Sequence, residues 1–501
     1  MHLALAVADL GFPAWVRLTH VFNILFLTLL MRSGLEILSS HPKLYWNDHC
    51  TPGSEWLRLT RKRMPQDQLW TSLDEEEDFP ALVALPGGRR LGLGRHWHFG
   101  SVLAWILTGV VYVVLLIATS QWRRLTPTSI TALPEAWHEV VTYLTLHLPP
   151  DGHPYTALQQ IAYFPVVFVL SPLAIATGVA MSPAVAGRFA WYPRLFGGKQ
   201  AARSIHFLCL CGFAAFAAVH TFMVVLHGPG HELALMVLGS AQANQALAVG
   251  IAIVALVAIG LIHVLATRAS RNRPRRVQRL LGGLLDPIQD FLARRLRSRQ
   301  AFPYAEISPA FRVNGYPPAA DEYREQVQNG FKDWRLEVAG LVGRPLRLSL
   351  RDLYEMPRQE QVTKHSCIQG WTGIAEWGGV PLREVLDRCE PESSARYVLV
   401  RAMDDKSSSG AEGEHGGGEF YEVIDLKLAR HPQTLLAYEM NHEPLPAEHG
   451  APLRLRVESE LGFKMVKWVR SIELIDDYRC VGAGQGGWRE DNMFYSPTVA
   501  I

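Results

Sequence analysis

A chain of 501 residues, 49% of them hydrophobic, is too long for one compact core, so two or more domains are expected. A formal net charge of +2 leaves no basic excess to hold a nucleic acid. The six cysteines (Cys50, Cys209, Cys211, Cys367, Cys389 and Cys480) have the paired spacing of neither a disulfide framework nor a zinc site.

Five apolar runs, about 13–38, 96–118, 159–181, 203–227 and 245–266, approach or exceed the roughly 20 residues that cross a bilayer. Trp, Tyr and Arg near their ends suit interfacial anchors, and buried helices of a large soluble protein are the alternative. Cys209 and Cys211 lie inside the fourth run, where packing is the expected role. Between the first two runs, 39–95 reads as a polar loop whose acidic segment Asp74–Asp78 is a solvated face. Residues 125–158, punctuated by Pro127, Pro134, Pro149 and Pro150, read as an interfacial excursion. A basic linker over 268–304 carries ten arginines against two aspartates between Arg268 and Arg299. Beyond it, 305–501 shows short alternating runs such as Arg335–Val338 and Leu453–Val457, separated by Gly-rich turns such as Gly416–Gly418. The expected fold is therefore multidomain: an all-α transmembrane bundle over 1–267, then a mixed α/β domain over 305–501.

Five crossings put the termini on opposite sides. The loops on the C-terminal side hold most of the Lys and Arg, and no twin-arginine export signal is read. An inner-membrane protein with its C-terminal domain on the cytoplasmic side is expected.

A histidine inside a span is costly and needs a partner. His206 and His220, 14 residues apart in the fourth span, face one way about 21 Å apart along the axis, the separation of two haems stacked across a bilayer. Antiparallel threading brings His20 of the first span level with His220. Parallel threading brings His98 of the second level with His206. Structural histidines bonded to backbone carbonyls are the alternative, and His96 competes with His98. His227, His231 and His263 read as interfacial or packing residues.

The segments Trp15–His20 (WVRLTH), Arg95–Phe99 (RHWHF), Leu158–Tyr163, Thr177–Pro183 and Gly197–Phe207 resemble the nickel-hydrogenase and thiosulfate-reductase type of cytochrome b, over about residues 10–230. The resemblance implies two b haems held between four helices, with His20, His98, His206 and His220 as iron ligands, and electron exchange with quinones. Its Trp-His-Phe signature favours His98 over His96. The fifth span has no counterpart in shorter members and is expected to connect the soluble domain. Members often start in the cytoplasm, which with five spans would put the C-terminal domain outside, so that alternative stays open.

In the C-terminal domain, His365–Trp371 (HSCIQGW) places one cysteine in an apolar, Gly- and Trp-containing loop. Alone, that is an inert core thiol as readily as a ligand, although a soft thiolate suits a high-valent metal. Downstream, Glu448–Arg454 (EHGAPLR) and Leu461–Trp468 (LGFKMVKW) set cationic side chains beside Gly-containing turns that can hold a phosphate. Together these segments resemble the sulfite oxidase superfamily, particularly its protein-methionine-sulfoxide reductase branch, across about 305–478. The resemblance implies Mo-molybdopterin with Cys367 as the molybdenum ligand and catalytic centre. It implies cofactor contacts from Asn314, His365, Gly450, Arg454, Gly462, Phe463 and Lys464. His449 stands where that branch has Asn, and the loop Asp404–Glu419 has no match. The arginine cluster of a true sulfite oxidase is not evident beside Cys367, whose nearest cationic neighbours are Lys364 and His365.

The expected function is a membrane-bound molybdopterin oxidoreductase coupling sulfoxide-type reduction to the quinone pool through two b haems. The alternatives are sulfite-type oxidation delivering electrons to quinone, a cytochrome b docking subunit with an inactive pterin domain, and a ferric reductase that the C-terminal domain only regulates.

Overall fold

The computed structural model describes residues 12–65, 67–148, 155–296, 299–408 and 416–496. Among the described residues, five helices long and apolar enough to span a membrane occupy Ala14–Ser39, Leu91–Ala118, Ala157–Ala180, Lys199–Leu226 and Gln245–Asn272. Their outward side chains are apolar, with Leu107 66% and Val254 68% exposed, a surface that lipid rather than water satisfies. The third span opens with a capping box, Thr156 with Gln159, and widens into a π-helical turn at Val166–Leu170 directly after Pro165, which has no N–H to donate. A helix over Ala132–Leu144 occupies the proline-punctuated excursion; it exposes Leu133, Trp137 and Leu144, as an interfacial helix would. Pro149 and Pro150 lie outside the described residues.

The chain forms two compact units. The first comprises the described part of Met1–Ser33 with Trp97–Gly178 and Ile205–Arg271; the second comprises Gly34–His96, Val179–Ser204 and the described part of Asn272–Ile501. This division departs from the linear partition at 267 and 304. The polar loop folds with the C-terminal domain, and its acidic run is not a solvated face. Glu75 is 1% exposed and meets Lys43 Nζ at 2.8 Å and Arg312 Nη1 at 2.7 Å, with His41 Nδ1 at 3.4 Å. The basic linker contains a helix, Pro274–Leu296, which buries Val277, Leu281 and Leu285 at helical spacing. Arg275 Nη1 of this helix donates to the Glu490 carbonyl at 2.9 Å, and Gln278 Nε2 donates to that of Tyr495 at 2.8 Å.

The second unit is built on three sheets. β1 (Lys43–Leu44) and β2 (Leu57–Arg58) form a small antiparallel pair within the inter-span loop. One five-stranded sheet runs β4 (Leu346–Leu348), β3 (Leu336–Gly340), β12 (Val469–Ile475), β7 (Tyr397–Asp405), β8 (Glu419–Asp425), with β3 and β12 parallel. The other runs β10 (Glu443–Pro444), β9 (Leu435–Met440), β6 (Thr372–Pro381), β5 (Gln359–Ser366), and β11 (Arg454–Arg456) pairs with β9. Every residue of β6 is buried, the pattern of a strand covered on both faces. The core contains Leu336, Val338, Val380, Val400, Leu436, Leu455 and Ile472, drawn from both large sheets. The antiparallel β5–β6 pair, in register from Gln359/Gly379 to Ser366/Thr372, holds the Cys367 loop at its tip.

Candidate functional site

The first unit brings four of its intramembrane histidines, His20, His98, His206 and His220, together in two pairs. The rings of His20 and His220 are 6.2 Å apart between centroids, and those of His98 and His206 are 6.3 Å apart. Three of the four have Nδ1 occupied. His98 Nδ1 meets Ser33 Oγ at 3.2 Å, His206 Nδ1 meets the Ala174 carbonyl at 3.0 Å and Thr177 Oγ1 at 3.1 Å, and His220 Nδ1 meets Tyr163 OH at 3.3 Å. Such bonds orient the rings and leave Nε2 for a metal. His96 differs: its Nδ1 bonds the Gly92 carbonyl at 2.8 Å and its Nε2 meets Ser496 Oγ at 3.1 Å, so both nitrogens are engaged within the second unit. His227 meets Tyr143 OH at 2.7 Å, and His263 bonds Thr28 and Arg32 at 2.9 Å each.

In the second unit the turn after β5 closes with the Cys367 N–H donating to the Trp371 carbonyl at 3.0 Å, and Gly370 takes φ +116°, a conformation that favours glycine. Cys367 is 1% exposed. Asn314 Nδ2 donates toward its sulfur at 3.5 Å, and the thiol faces Gln369 Oε1 at 3.4 Å. Burial pushes the thiol pKa up to about 12, so without a metal the side chain is a neutral thiol at physiological pH. A metal binding there must displace that proton, and loading should release one proton per site.

Beside this loop opens a cleft of about 550 Å3, counting its mouth. Asn314, His365, Arg454, Gly462 and Phe463 line it, as do His449, Arg312, Lys406, Lys467 and Arg489. Phe311 forms an aromatic wall, its ring 5.5–6.0 Å from those of His365, Trp371, Trp377 and His449. His365 is fully buried; that burial, then Arg456 and Arg454, pushes its pKa well below the usual value and keeps it neutral. Its Nδ1 meets Arg456 Nη1 at 3.1 Å, and a methyl group at Gly462 would collide with its ring. Lys364 is taken by Asp48 at 2.8 Å. The positive charge facing the cleft therefore comes not from His365 and Lys364 but from Arg454, Lys467 and Arg489, while Arg312, also in the wall, is paired with Glu75. Burial, then Arg454 and Lys467, lowers His449 to about 3, so it too is neutral.

Two sequence-derived candidates lie differently. Gly450 takes φ +119° and its carbonyl accepts from the Trp468 N–H at 3.1 Å; it supports the wall while its neighbour His449 lines it. Lys464 is 2% exposed and its ammonium bonds two buried carboxylates, Glu422 at 2.8 Å and Glu490, together with the Gly486 carbonyl at 3.2 Å. Burial, then the charge of Glu490, pushes Glu422 well above the usual carboxylate range, while the two carboxylates keep the ammonium charged. Replacing Lys464 by Met strands two buried acids, and about 3–5 kcal/mol of stability should be lost, read from thermal unfolding of the purified protein. An unchanged midpoint with lost molybdenum would instead return Lys464 to a cofactor-phosphate role. Sequence reasoning missed Phe311, Arg312 and Arg489. The first two lie within three residues of Asn314, a proximity that could have flagged them, whereas Arg489 comes from a C-terminal helix, Trp488–Met493, with no local signal.

A multi-pass helical unit with paired histidines, combined with an α/β unit whose buried cysteine borders a cationic cleft, defines a membrane-bound electron-transfer chain fused to a cofactor-binding domain. Residues 11–239 match the family model for prokaryotic cytochrome b561, and residues 324–480 match the oxidoreductase molybdopterin binding domain. One chain thus carries a segment similar to the cytochrome b561 family followed by a segment similar to the molybdopterin-binding oxidoreductase family. Similar proteins include one provisionally named protein-methionine-sulfoxide reductase subunit YedZ1 from Azospira oryzae, 33% identical over 193 residues, or 38% of this chain and 64% of that one. The protein-methionine-sulfoxide reductase catalytic subunit MsrP from Ralstonia nicotianae is 33% identical over 145 residues, 28% of this chain and 44% of that one. The chain thus spans less than two thirds of either relative. The crystal structure of the sulfane dehydrogenase SoxCD from Paracoccus pantotrophus aligns with 32% of this chain and 40% of that one, at 25% identity and a TM-score of 0.26.

The residues fit both cofactor types. Asn314 Oδ1 and Arg454 Nε, in the cleft wall, are buried without a hydrogen-bond partner, an acceptor and a cationic donor left open beside a soft thiol. For the histidine pairs, the two rings lie 6.2 and 6.3 Å apart and Nδ1 is bonded in three of the four, so Nε2 is the atom left to a metal.

Proposed function

We propose that this chain is a molybdopterin-dependent oxidoreductase that reduces sulfoxide-type substrates with electrons drawn from membrane quinol through two b haems. The observation that carries this reading is the convergence of the Cys367 thiol, the unsatisfied Asn314 Oδ1 and Arg454 Nε, and a cationic cleft in one place. Cys367 would ligate the molybdenum. Arg454, Lys467 and Arg489 would meet the negative charge of the pterin phosphate, Asn314 would bond the pterin edge, and backbone around Gly450 and Gly462 would approach it closely. The bound group supplies two-electron oxygen-atom exchange, and the haems pass electrons singly. Neutral His365 and His449 add no charge of their own beside the cleft's cations, and Phe311 gives it an aromatic wall.

His20 with His220 and His98 with His206 would each hold one haem. The methionine-sulfoxide reductase names of the relatives support the sulfoxide class, and the loop charges support an inner-membrane protein with its molybdopterin domain on the cytoplasmic side. A second reading, oxidation of a sulfite-type oxyanion with electrons passed to quinone, draws support from the three arginines of the cleft, which suit an anionic substrate as well as a cofactor phosphate. The deciding measurement is metal and haem content of detergent-purified protein, followed by turnover with sulfoxides, N-oxides and sulfite against a quinol or quinone analogue. One molybdenum, two haems and quinol-driven sulfoxide reduction are expected. Sulfite oxidation alone would select the second reading, and haem without molybdenum would overturn both.

A further inference from the structure

The loop between the first two spans contains a short turn, Thr71–Glu76, in which four residues bond segments flanking Cys367. Ser72 uses three groups: its N–H donates to the Val313 carbonyl at 2.8 Å, its hydroxyl to Gln369 Oε1 at 2.7 Å, and its carbonyl accepts from Gln369 Nε2 at 3.2 Å. Asp74 accepts from Tyr316 OH at 2.7 Å, and Glu75 accepts from Arg312 at 2.7 Å. Glu76 accepts from Gln369 Nε2 at 2.6 Å. The turn thus grips Arg312–Tyr316, which carries Asn314, and Gln369, which lies two residues beyond the thiol.

Gln369 is the joint. Its Nε2 donates to Glu76 and Ser72, so its Oε1 must point the other way, where it faces the Cys367 thiol at 3.4 Å and accepts from Trp371 Nε1 at 3.3 Å. Flipping the amide would set two N–H groups against Ser72 Oγ–H and Trp371 Nε1–H and leave the Glu76 oxygen facing another oxygen. We infer that Ser72 and Glu76 are positioning residues for the molybdenum thiolate: through Gln369 and Val313 they set where the Cys367 sulfur stands relative to Asn314. The molybdopterin site then depends on sequence N-terminal to the second span, which braces Gln369 and Arg312–Tyr316 from behind the cleft wall, and 305–501 alone lacks that brace. Outer groups that orient a metal ligand characteristically change metal affinity by about 10–100-fold when removed.

This inference rests on Cys367 as the molybdenum ligand, and the test separates the two. Full-length Ser72→Ala, Glu76→Ala and Glu76→Gln are compared with the parent in two ways. In molybdenum-loaded protein, the electron-paramagnetic resonance signal of the half-reduced metal reads the geometry at sulfur. In protein from cells that cannot make the cofactor, site-resolved alkylation of Cys367 reads the exposure of the free thiol. Ser72→Ala and Glu76→Ala should shift the resonance and speed alkylation about tenfold or more, whereas Glu76→Gln, which keeps an acceptor oxygen for Gln369, should restore both. Parent-like resonance and alkylation in Ser72→Ala and Glu76→Ala would overturn the inference, as would a Glu76→Gln variant as perturbed as Glu76→Ala. Should Glu76→Ala not fold, Ser72→Ala decides, since it removes one hydroxyl. Absence of molybdenum from the parent would overturn the cofactor assignment, and the alkylation series would still test the positioning.

Discussion

Replacing Cys367 by Ala is expected to strip molybdenum from the protein and abolish turnover while leaving the haem spectrum unchanged. The thiol is the soft ligand at this cleft. Cys50 also folds into the second unit, but its sulfur is engaged by the Thr372 hydroxyl at 3.7 Å and the Thr372 N–H at 3.4 Å. Loss of a direct ligand should exceed the roughly 10–100-fold typical of outer-shell changes, so metal content should fall to background in elemental analysis. Cys367→Ser separates steric from ligand effects: a hard hydroxyl fills the space without the soft sulfur. Turnover preserved in the Ala variant would sink the molybdenum assignment.

His206→Ala should remove one haem and spare the other, leaving about half of the b-type absorbance, and His220→Ala should do the same for the opposite pair. The two sites share no histidine: His98 faces His206 and His20 faces His220. Rescue of His98→Ala by neighbouring His96 is not expected, because both of its ring nitrogens are already bonded. The check is haem per polypeptide together with the redox titration of each variant. A full complement of haem in His206→Ala would show that these rings are structural, bonded to carbonyls such as that of Ala174.

Much of the membrane unit was legible along the chain because its determinants are local. Apolar runs of bilayer length announce the spans, and a 14-residue step at 3.6 residues per turn places His206 and His220 on one face. The Cys367 loop was also visible, since a turn with Gly370 between two strands is a short-range pattern. Where local reading fell short, charge was the cause. An acidic run such as Asp74–Asp78 is normally solvated, and nothing in its sequence announces that Lys43, His41 and Arg312 surround Glu75. Lys464 sits in a segment that suggests phosphate binding, yet its ammonium is claimed by two acids, Glu422 and Glu490, that lie 42 and 26 residues away.

Sequence by itself therefore determined the two classes of domain and the five spans, since periodicity and apolar run length are properties of short segments. Tertiary structure decided which groups surround the thiol. Ser72 and Gln369 are 297 residues apart, and Arg312 and Glu75 are 237 apart. A buried charge or amide is stable only with a partner, and which partner it meets is set by how distant segments pack. The inter-span loop thereby became part of the cofactor domain rather than a solvated connection, and the cationic wall came from Arg454, Lys467 and Arg489 rather than from the neighbours of Cys367 in the chain.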